Sequence, residues 1–561
     1  YMSPIPANAS MAMLFSFFVA VTITPWLLMK VVGIKGRTKS AAHDYEHGHA
    51  DDGGAMGALY RRVARPLLEG RKNSKKFLII VGIATLASLA LFATKSVRVK
   101  LLPFDNKSEV QVVLDLPRGT TLEETDRVLT DAATLLKGLP ELVSIQSYAG
   151  TSAPFNFNGL VRHYYYRSNP EQGDLAINLK PKGERSRASH TIALEIREKL
   201  KALKLPEHSA LKVVEVPPGP PVMSTLLAEI YGPNSDARRA LAAKVRKAFE
   251  SVDFVVDTDD SFGTRAPRLR FEIDQQKLEY HGVEERVVYD TIGALIGGVK
   301  LGYSQRGGLK PIEIAIELPK RDLTFSEKIL STPLPAGGTA RQGANVELGD
   351  VVTIKEEQSS YPIFRHNGRY AEMVSAELAG RYEAPIYGMF AVEDALKSMK
   401  WTKDDEPTIT YHGQPVDETK STLLWDGEWE VTYVTFRDMG AAFGVAILGI
   451  YLLVVAQFGS FLLPLVILVP VPLTLIGIMI GHYIFNAAFT ATSMIGFIAL
   501  AGIIVRNSIL LVDFIRHARS GGKGLRDALL EAGATRFKPI FLTAAAAVIG
   551  AAFILTDPIF Q

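Results

Sequence analysis

The chain has 561 residues, 47% apolar and 22% charged, with a mean hydropathy of +0.13. It is too long for one ordinary core and too apolar for a wholly aqueous protein, so a mixture of membrane and aqueous parts is expected. The 62 Lys+Arg against 59 Asp+Glu leave only +3, which excludes a strongly basic nucleic-acid binder, and zero Cys excludes disulfides, thiolate metal sites and a cysteine nucleophile.

A membrane helix needs about 20 apolar residues to cross a hydrocarbon core about 30 Å thick. The run MAMLFSFFVAVTITPWLLM predicts a first span over residues 7–30, and FLIIVGIATLASLALFAT a second over 77–95, with a basic linker at 31–76 between them. In that linker His43, His47 and His49 could hold a metal ion, but the segment reads better as a solvated tether, so no metal site is assigned.

Residues 97–222 then carry strand, helix and strand patterns twice: EVQVVLDLP, TLEETDRVLTDAATLLKGL and LVSIQSYAG, then DLAINLK, HTIALEIREKLKAL and LKVVEV. Two such βαβ units predict a split, ferredoxin-like sheet. Between them lies the aromatic loop GTSAPFNFNGLVRHYYYR, whose Phe155 and Phe157 either line an apolar cleft or pack the loop down. The stiff VPPGPPV linker leads to a second sheet of the same kind, formed by 223–266 and 371–415. Residues 267–370 form a β-rich insert, in which VKLGYSQRGGLKPIEI predicts a hairpin with Arg306, Gly307 and Gly308 at its tip, a docking element or an ordinary turn. A connector covers 416–437.

No Asp, Glu, Lys or Arg occurs in the 67 residues between Asp438 and Arg506. Spans are predicted at 438–456, 462–482 and 490–514, with turns near Gln457 to Phe461 and near Asn486, and a last span at 539–556 precedes Asp557. The loops 30–76 and 516–538 are the basic ones, so they read as cytoplasmic, which puts residues 97–436 and Asp557 on the far side. The start at Tyr1 and the stop at Gln561 read as an excised piece of something longer.

Arg506 lies about ten residues inside its span, roughly 15 Å from the cytoplasmic end, too deep for its side chain to reach water by snorkelling. Such an Arg costs about 3 kcal/mol on insertion scales and calls for an anionic partner, with Asp513 on the same helix closer to the interface. Asn507 and Ser508 are weaker signals, and the Thr543 hydroxyl either bonds its own helix or completes a polar cluster. No P-loop, HExxH or G-x-S-x-G element is present, and Met223, Met373, Met389 and Met399 form no tight group in sequence. No cofactor, no resident metal and no enzymatic reaction are expected.

Four segments together resemble the C-terminal half of a resistance-nodulation-division (RND) efflux transporter of the hydrophobe/amphiphile, multidrug type: MSPIPANASMAMLFSFFVAVTITPWL, QFGSFLLPLVILVPVPLTLIG, GIIVRNSILLVDF and RFKPIFLTAAAAVIG. The resemblance covers essentially the whole chain. It implies an α-helical membrane bundle plus α+β periplasmic porter domains with an inserted β-rich docking domain, the spans above matching the family's sixth to eleventh. It implies a proton antiporter of the bacterial inner membrane, usually a homotrimer joined to a periplasmic adaptor and an outer-membrane channel, in contact with membrane lipid and exporting amphiphilic small molecules. Arg506 falls where many members carry a Lys paired with two Asp, Thr543 at the relay Thr, and Arg536 at a basic position of the cytoplasmic mouth. With Asn507 these form the expected proton relay. Arg in place of Lys holds its proton at physiological pH, so Arg506 is expected to be a fixed counter-ion. Phe155 and Phe157 are expected to gate a drug pocket. The rival readings are a heavy-metal RND exporter, disfavoured by the missing carboxylate or methionine relays, a proton-driven protein-export accessory, and a non-transporting membrane scaffold.

Overall fold

The computed structural model of the chain describes residues 4–34, 54–216, 219, 221–306, 308, 310–319, 327–336, 345–380, 382–402 and 406–555. His43, His47, His49, Gly307, Asp557 and, in the VPPGPPV linker, Pro217, Pro218 and Pro220 lie outside the described residues. Two compact units divide the chain: Tyr1–Thr94, Ala446–Ile484 and Gly496–Gln561 form one, and Lys95–Val445 with Phe485–Ile495 the other.

Six helical segments among the described residues are long and apolar enough to cross a membrane. They fall within Pro4–Ile34, Arg71–Ala93, Glu428–Phe458, Leu463–Ile484, Ala491–Ser520 and Leu525–Leu555. The turns expected near Gln457 and Asn486 are present, with Gly459 and Asn486 at positive φ of 61° and 49°. The Leu463–Ile484 segment is divided into Leu463–Leu468, Pro470–Leu473 and Leu475–Ile484, with Pro464 and Pro470 in the first two positions of the first two pieces and Pro472 just before the second break.

The structure departs from the sequence reading at the span ends. Helix begins at Glu428, inside the expected connector, and most of the expected loop 516–538 is helical, with the turn confined to the Gly-rich 521–524. Charged residues extend helices beyond the hydrocarbon, so hydropathy marks the apolar stretch and not the helix. The basic linker also contains a helix, Gly54–Glu69. It turns Gly57, Tyr60, Ala64 and Leu67 inward at helical spacing, and the Tyr60 ring lies directly over Gly533, where a Cβ would come within 2.2 Å of it.

In the other unit, β1 (Glu109–Asp115), β2 (Leu142–Ala149), β3 (Gln172–Leu179) and β4 (Ala210–Val214) form an antiparallel sheet in the order β2-β3-β1-β4. This is the split βαβ arrangement expected, with the Leu122–Leu136 and Ser189–Leu200 helices covering one face. Thr121 caps the first of these helices through Glu124 N. Val112, Leu114, Leu129, Leu175, Ile177 and Ile196 make a dry core.

The second sheet starts with β5 (Leu226–Tyr231) and β6 (Val255–Asp260). An insert follows with β7 (Pro267–Ile273), the helices Gln275–His281 and Glu285–Gly297, an exposed ribbon of β8 (Val299–Ser304) and β9 (Ile312–Ile316), and β10 (Val352–Gln358) paired to β7. The insert is therefore more helical than its strand-rich sequence suggests. A short hairpin of β11 (Arg365–His366) and β12 (Arg369–Tyr370) comes next, then β13 (Glu372–Leu378), β14 (Thr408–Thr410) and β15 (Thr422–Asp426) complete a sheet ordered β14-β15-β5-β13-β6. The sequence places β15 in the connector because TLLWD shows no alternation. It is instead a fully covered strand, with Leu423 and Trp425 buried in the core and Leu424 nearly so. One residue, Gly427, joins it to the Glu428–Phe458 helix at φ 72°, and a Cβ there would stand 2.6 Å from the Ser224 carbonyl oxygen.

Trp425→Ala should cost this sheet about 3–5 kcal/mol. The check is the thermal midpoint of the Trp near-ultraviolet dichroism of the purified chain: a lowered midpoint is expected, and an unchanged one would show that β15 is dispensable.

Candidate functional site

The two sheets have separate apolar cores. Period-two alternation in the second sheet sends Leu226, Ala228, Val374 and Ala376 to its helices and Leu227, Met373, Ser375 and Glu377 to the opposite face, where these four line a cleft of about 210 Å³. Six charged residues ring that cleft: Arg162, Lys212, Asp257, Asp259, Asp260 and Glu377.

Their pairing follows a rule. Arg162 Nη1 lies 2.6 Å from Glu377 Oε1, and Arg197 Nη2 lies 2.7 Å from Asp257 Oδ2. Lys212 pairs with Asp259, and His190 Nε2 lies 2.9 Å from Glu383 Oε1. In all four pairs the first α/β subdomain supplies the base and the second supplies the acid. Glu377 also accepts from the Thr225 hydroxyl at 2.5 Å, and Asp257 from Val213 N at 3.1 Å. Between Ser375 and Glu377 of β13 the register with β6 shifts, β6 carrying the extra residue in the stretch where Asp257 has a left-handed φ of 57°.

Burial works against the charged forms of Arg162, Arg197, Lys212, His190, Glu377 and Asp259, and their partners outweigh it. Glu377 is held below the usual carboxylate range by Arg162, Arg197 and the Thr225 hydroxyl despite its burial, and Asp259 likewise by Lys212. Burial lowers His190, but hydrogen bonds and charge from Glu215 and Glu383 outweigh it and lift it to about 9. The imidazole stacks on Phe104 at 4.0 Å, and the Lys100 ammonium stands 3.2 Å from the centroid of that ring.

The aromatic loop is pinned to the same seam. Arg162 ends the helix Phe157–Arg162, which Asn156 caps through Gly159 N at 2.7 Å, and Arg167 pairs with Asp115 at 2.6 Å and with the fully buried Asp174 at 3.3 Å. Phe155 and Phe157 themselves are 69% and 43% exposed and do not line the cleft, whereas Tyr164 does. Phe155 packs on Tyr165 at 5.5 Å, so the rings pack on one another. Met223 and Met373 line the cleft together, while Met389 is buried in the second core.

The other expected site residues are dispersed. Arg506 is exposed and makes no hydrogen bond or ion pair among the described residues, and Asn507 lies beside it on the same helix. The Thr543 hydroxyl donates to Ile540 O at 2.9 Å in its own helix. Arg536 lies over the Phe514 ring at 5.3 Å. No relay joins these four among the described residues. Arg306 and Gly308 lie in the loop of the β8–β9 ribbon, whose Leu301, Tyr303 and Ile316 are exposed.

Residues 3–555 match the family model described as AcrB/AcrD/AcrF. The chain belongs to that family of RND transporters. It is 22% identical over 550 residues to the swarming motility protein SwrC of Bacillus subtilis, covering 97% of this chain and 47% of that protein. It is 24% identical over 504 residues to the cobalt-zinc-cadmium resistance protein CzcA of Cupriavidus metallidurans, covering 87% and 44%. Among solved structures, a heavy metal efflux pump superimposes with a TM-score of 0.72 at 18% identity, over 90% of this chain and 48% of that one, which shows a shared fold. The AcrB/AcrD/AcrF-family chain thus spans about half the length of the curated relatives it matches.

Sequence reading misses the seam. Its only trace is the paired Asp257 and Asp259 in VVDTDD, two residues apart on one strand, and nothing local places Arg197 or Lys212 opposite them.

Because His190 is raised on folding, its contribution is complete below about pH 6.5 and is lost as pH rises through about 9. Glu377 and Asp259 are depressed, so theirs is complete above about pH 4–5 and lost below. Thermal midpoints measured across pH should fall between about 6.5 and 9, and His190→Gln should abolish that limb alone. A variant that keeps the limb assigns it to another group. Glu377→Gln, which strands buried Arg162, should cost about 3–5 kcal/mol at pH 7.

Proposed function

We propose that the chain forms part of a proton-driven RND efflux pump of the bacterial inner membrane whose cargo is a divalent metal cation. The observation that carries this reading is the ring of carboxylates in the seam cleft. A dication can exchange with Lys212 or Arg197 as the counter-ion of Asp259 or Asp257, whereas an amphiphile would leave those charges unsolvated. The exposed placement of Phe155 and Phe157 away from the cleft removes the main support for amphiphile cargo and a drug gate. Similarity to the cobalt-zinc-cadmium resistance protein CzcA and to the superimposed heavy metal efflux pump supports the same cargo class.

In this reading the two α/β subdomains are the porter parts on the periplasmic side, the insert with its β8–β9 ribbon is the docking part, and the working unit is a trimer with an adaptor and an outer-membrane channel. Opening the seam admits the cation and closing it restores the native ion pairs. Arg506 serves as a fixed positive counter-ion to carboxylates supplied from outside this chain, which load and release the proton, with Asn507, Thr543 and Arg536 along the path.

The test is metal tolerance in a sensitive host carrying the complete transporter. Raised tolerance to Zn²⁺, Co²⁺ or Cd²⁺ that an uncoupler abolishes is expected, and protection against amphiphilic drugs alone would reverse the cargo assignment. In proteoliposomes, Arg506→Ala should abolish cation-dependent proton flux while Arg506→Lys keeps a measurable part of it. Full coupling in the Ala variant would remove Arg506 from the relay.

A further inference from the structure

A second group of ligating side chains lies on the second sheet, apart from the four seam pairs. β5 turns Glu229 to the face opposite the core, and its register partner there is Leu424, so Asp426 stands diagonally across on β15. His366 comes from the β11–β12 hairpin, in which Asn367 and Gly368 have φ of 48° and 80° and His366 pairs with Arg369. A two-residue Asn-Gly loop with both φ positive is the tight hairpin turn that best matches strand twist, and it fixes the imidazole at the position just before the turn.

These three residues offer one ligand atom each, all within 4.8 Å of one another. His366 Nε2 is 3.1 Å from Glu229 Oε1, close to the roughly 3.3 Å edge of a tetrahedron with 2.0–2.1 Å bonds, and the Asp426 oxygen lies within 4.8 Å of both. Glu229 is almost fully buried and its second oxygen is taken at 2.6 Å by the hydroxyl of the fully buried Tyr231, which orients the carboxylate as outer partners do in metal sites. Asp426 faces both Glu229 and Glu430. Three carboxyl groups therefore converge on one imidazole. The nearby Arg369 guanidinium is directed to Pro415 O and Glu418.

We propose that Glu229, His366 and Asp426 form a binding site for a borderline divalent cation such as Zn²⁺, Co²⁺ or Ni²⁺, with Tyr231 as the positioning residue. Two carboxylate oxygens and one imidazole nitrogen suit these ions, whereas Cu⁺ or Ag⁺ would require thiolate or thioether donors and Mg²⁺ would require oxygen alone. Open coordination positions remain for water, and the partly exposed side of His366 gives the ion a way in. That the bound ion is cargo in transit rests on the cation-export reading. That the site binds it rests on the geometry.

The experiment uses the whole chain in lipid nanodiscs with His43, His47 and His49 changed to Ala, so that the linker cannot bind. Zn²⁺ is titrated calorimetrically and Co²⁺ is followed by its visible absorption. The parent is expected to take up one equivalent with a Co²⁺ spectrum of low coordination number. His366→Gln and Asp426→Asn should each remove that equivalent, and Tyr231→Phe should weaken it about tenfold. Near-ultraviolet dichroism from Trp425 checks that the sheet is intact. Binding unchanged in both ligand variants would overturn the site, as would an absorption edge spectrum without imidazole. A host whose complete transporter gives no metal tolerance while the nanodisc sample still loses Zn²⁺ in His366→Gln would refute the cargo reading and leave the site standing.

Discussion

The α/β unit depends on four ion pairs across the seam, each with its base from the first subdomain and its acid from the second, while Glu215 beside His190 and Arg246 beside Asp260 add a charge of the other sign on each side. Each sheet is closed by its own apolar core, and burying that surface stabilises it by roughly 25 cal/mol per Å². The seam is held differently. A buried ion pair returns little net stability, because desolvation cancels most of the attraction. The same cancellation makes opening inexpensive, since each separated ion regains its hydration, whereas prying apart an apolar contact would lose the hydrophobic term with nothing in return.

The four pairs also limit how the subdomains can meet. With the four bases on one partner and the four acids on the other, sliding by one strand residue would set Arg197 and Lys212 against the wrong carboxylates and leave Arg162 uncompensated in a buried position. The register is thus specified by electrostatics, while the cores set only the shape of each half. Arg162, through Glu377, ties the aromatic loop to the second subdomain, while Arg167 holds it to Asp115 and Asp174 of its own subdomain.

Much of this fold is legible in the sequence, and the reason is local. Alternation in EVQVVLDLP and the Thr121 cap before LEETD are signals carried within a few residues, so the first sheet has the expected order. TLLWD escapes such a reading because a strand covered on both faces does not alternate. The Gly54–Glu69 helix escapes it because its inward face, Gly57, Tyr60 and Ala64, is small and flanked by arginines. The site is less legible. Arg506 and Thr543 can be singled out from depth and pattern, but the seam is made by residues up to about two hundred positions apart, such as Arg162 with Glu377, and neither member is unusual where it stands. The amphiphile expectation finds no support in the structure for a related reason: aromatic residues in a loop say what can be sticky, not which way the rings face.

The join at Gly427 has a mechanical meaning. The strand ending at Asp426 is hydrogen-bonded on both sides within the second sheet, and the helix starting at Glu428 is among the longest of the described helices. One residue separates them, held at a backbone angle that side-chain-bearing residues rarely adopt and wedged against the Ser224 carbonyl. A joint that short has no slack, so an axial shift or rotation of the helix reaches the sheet undiminished, and displacement is transmitted where a longer tether would absorb it.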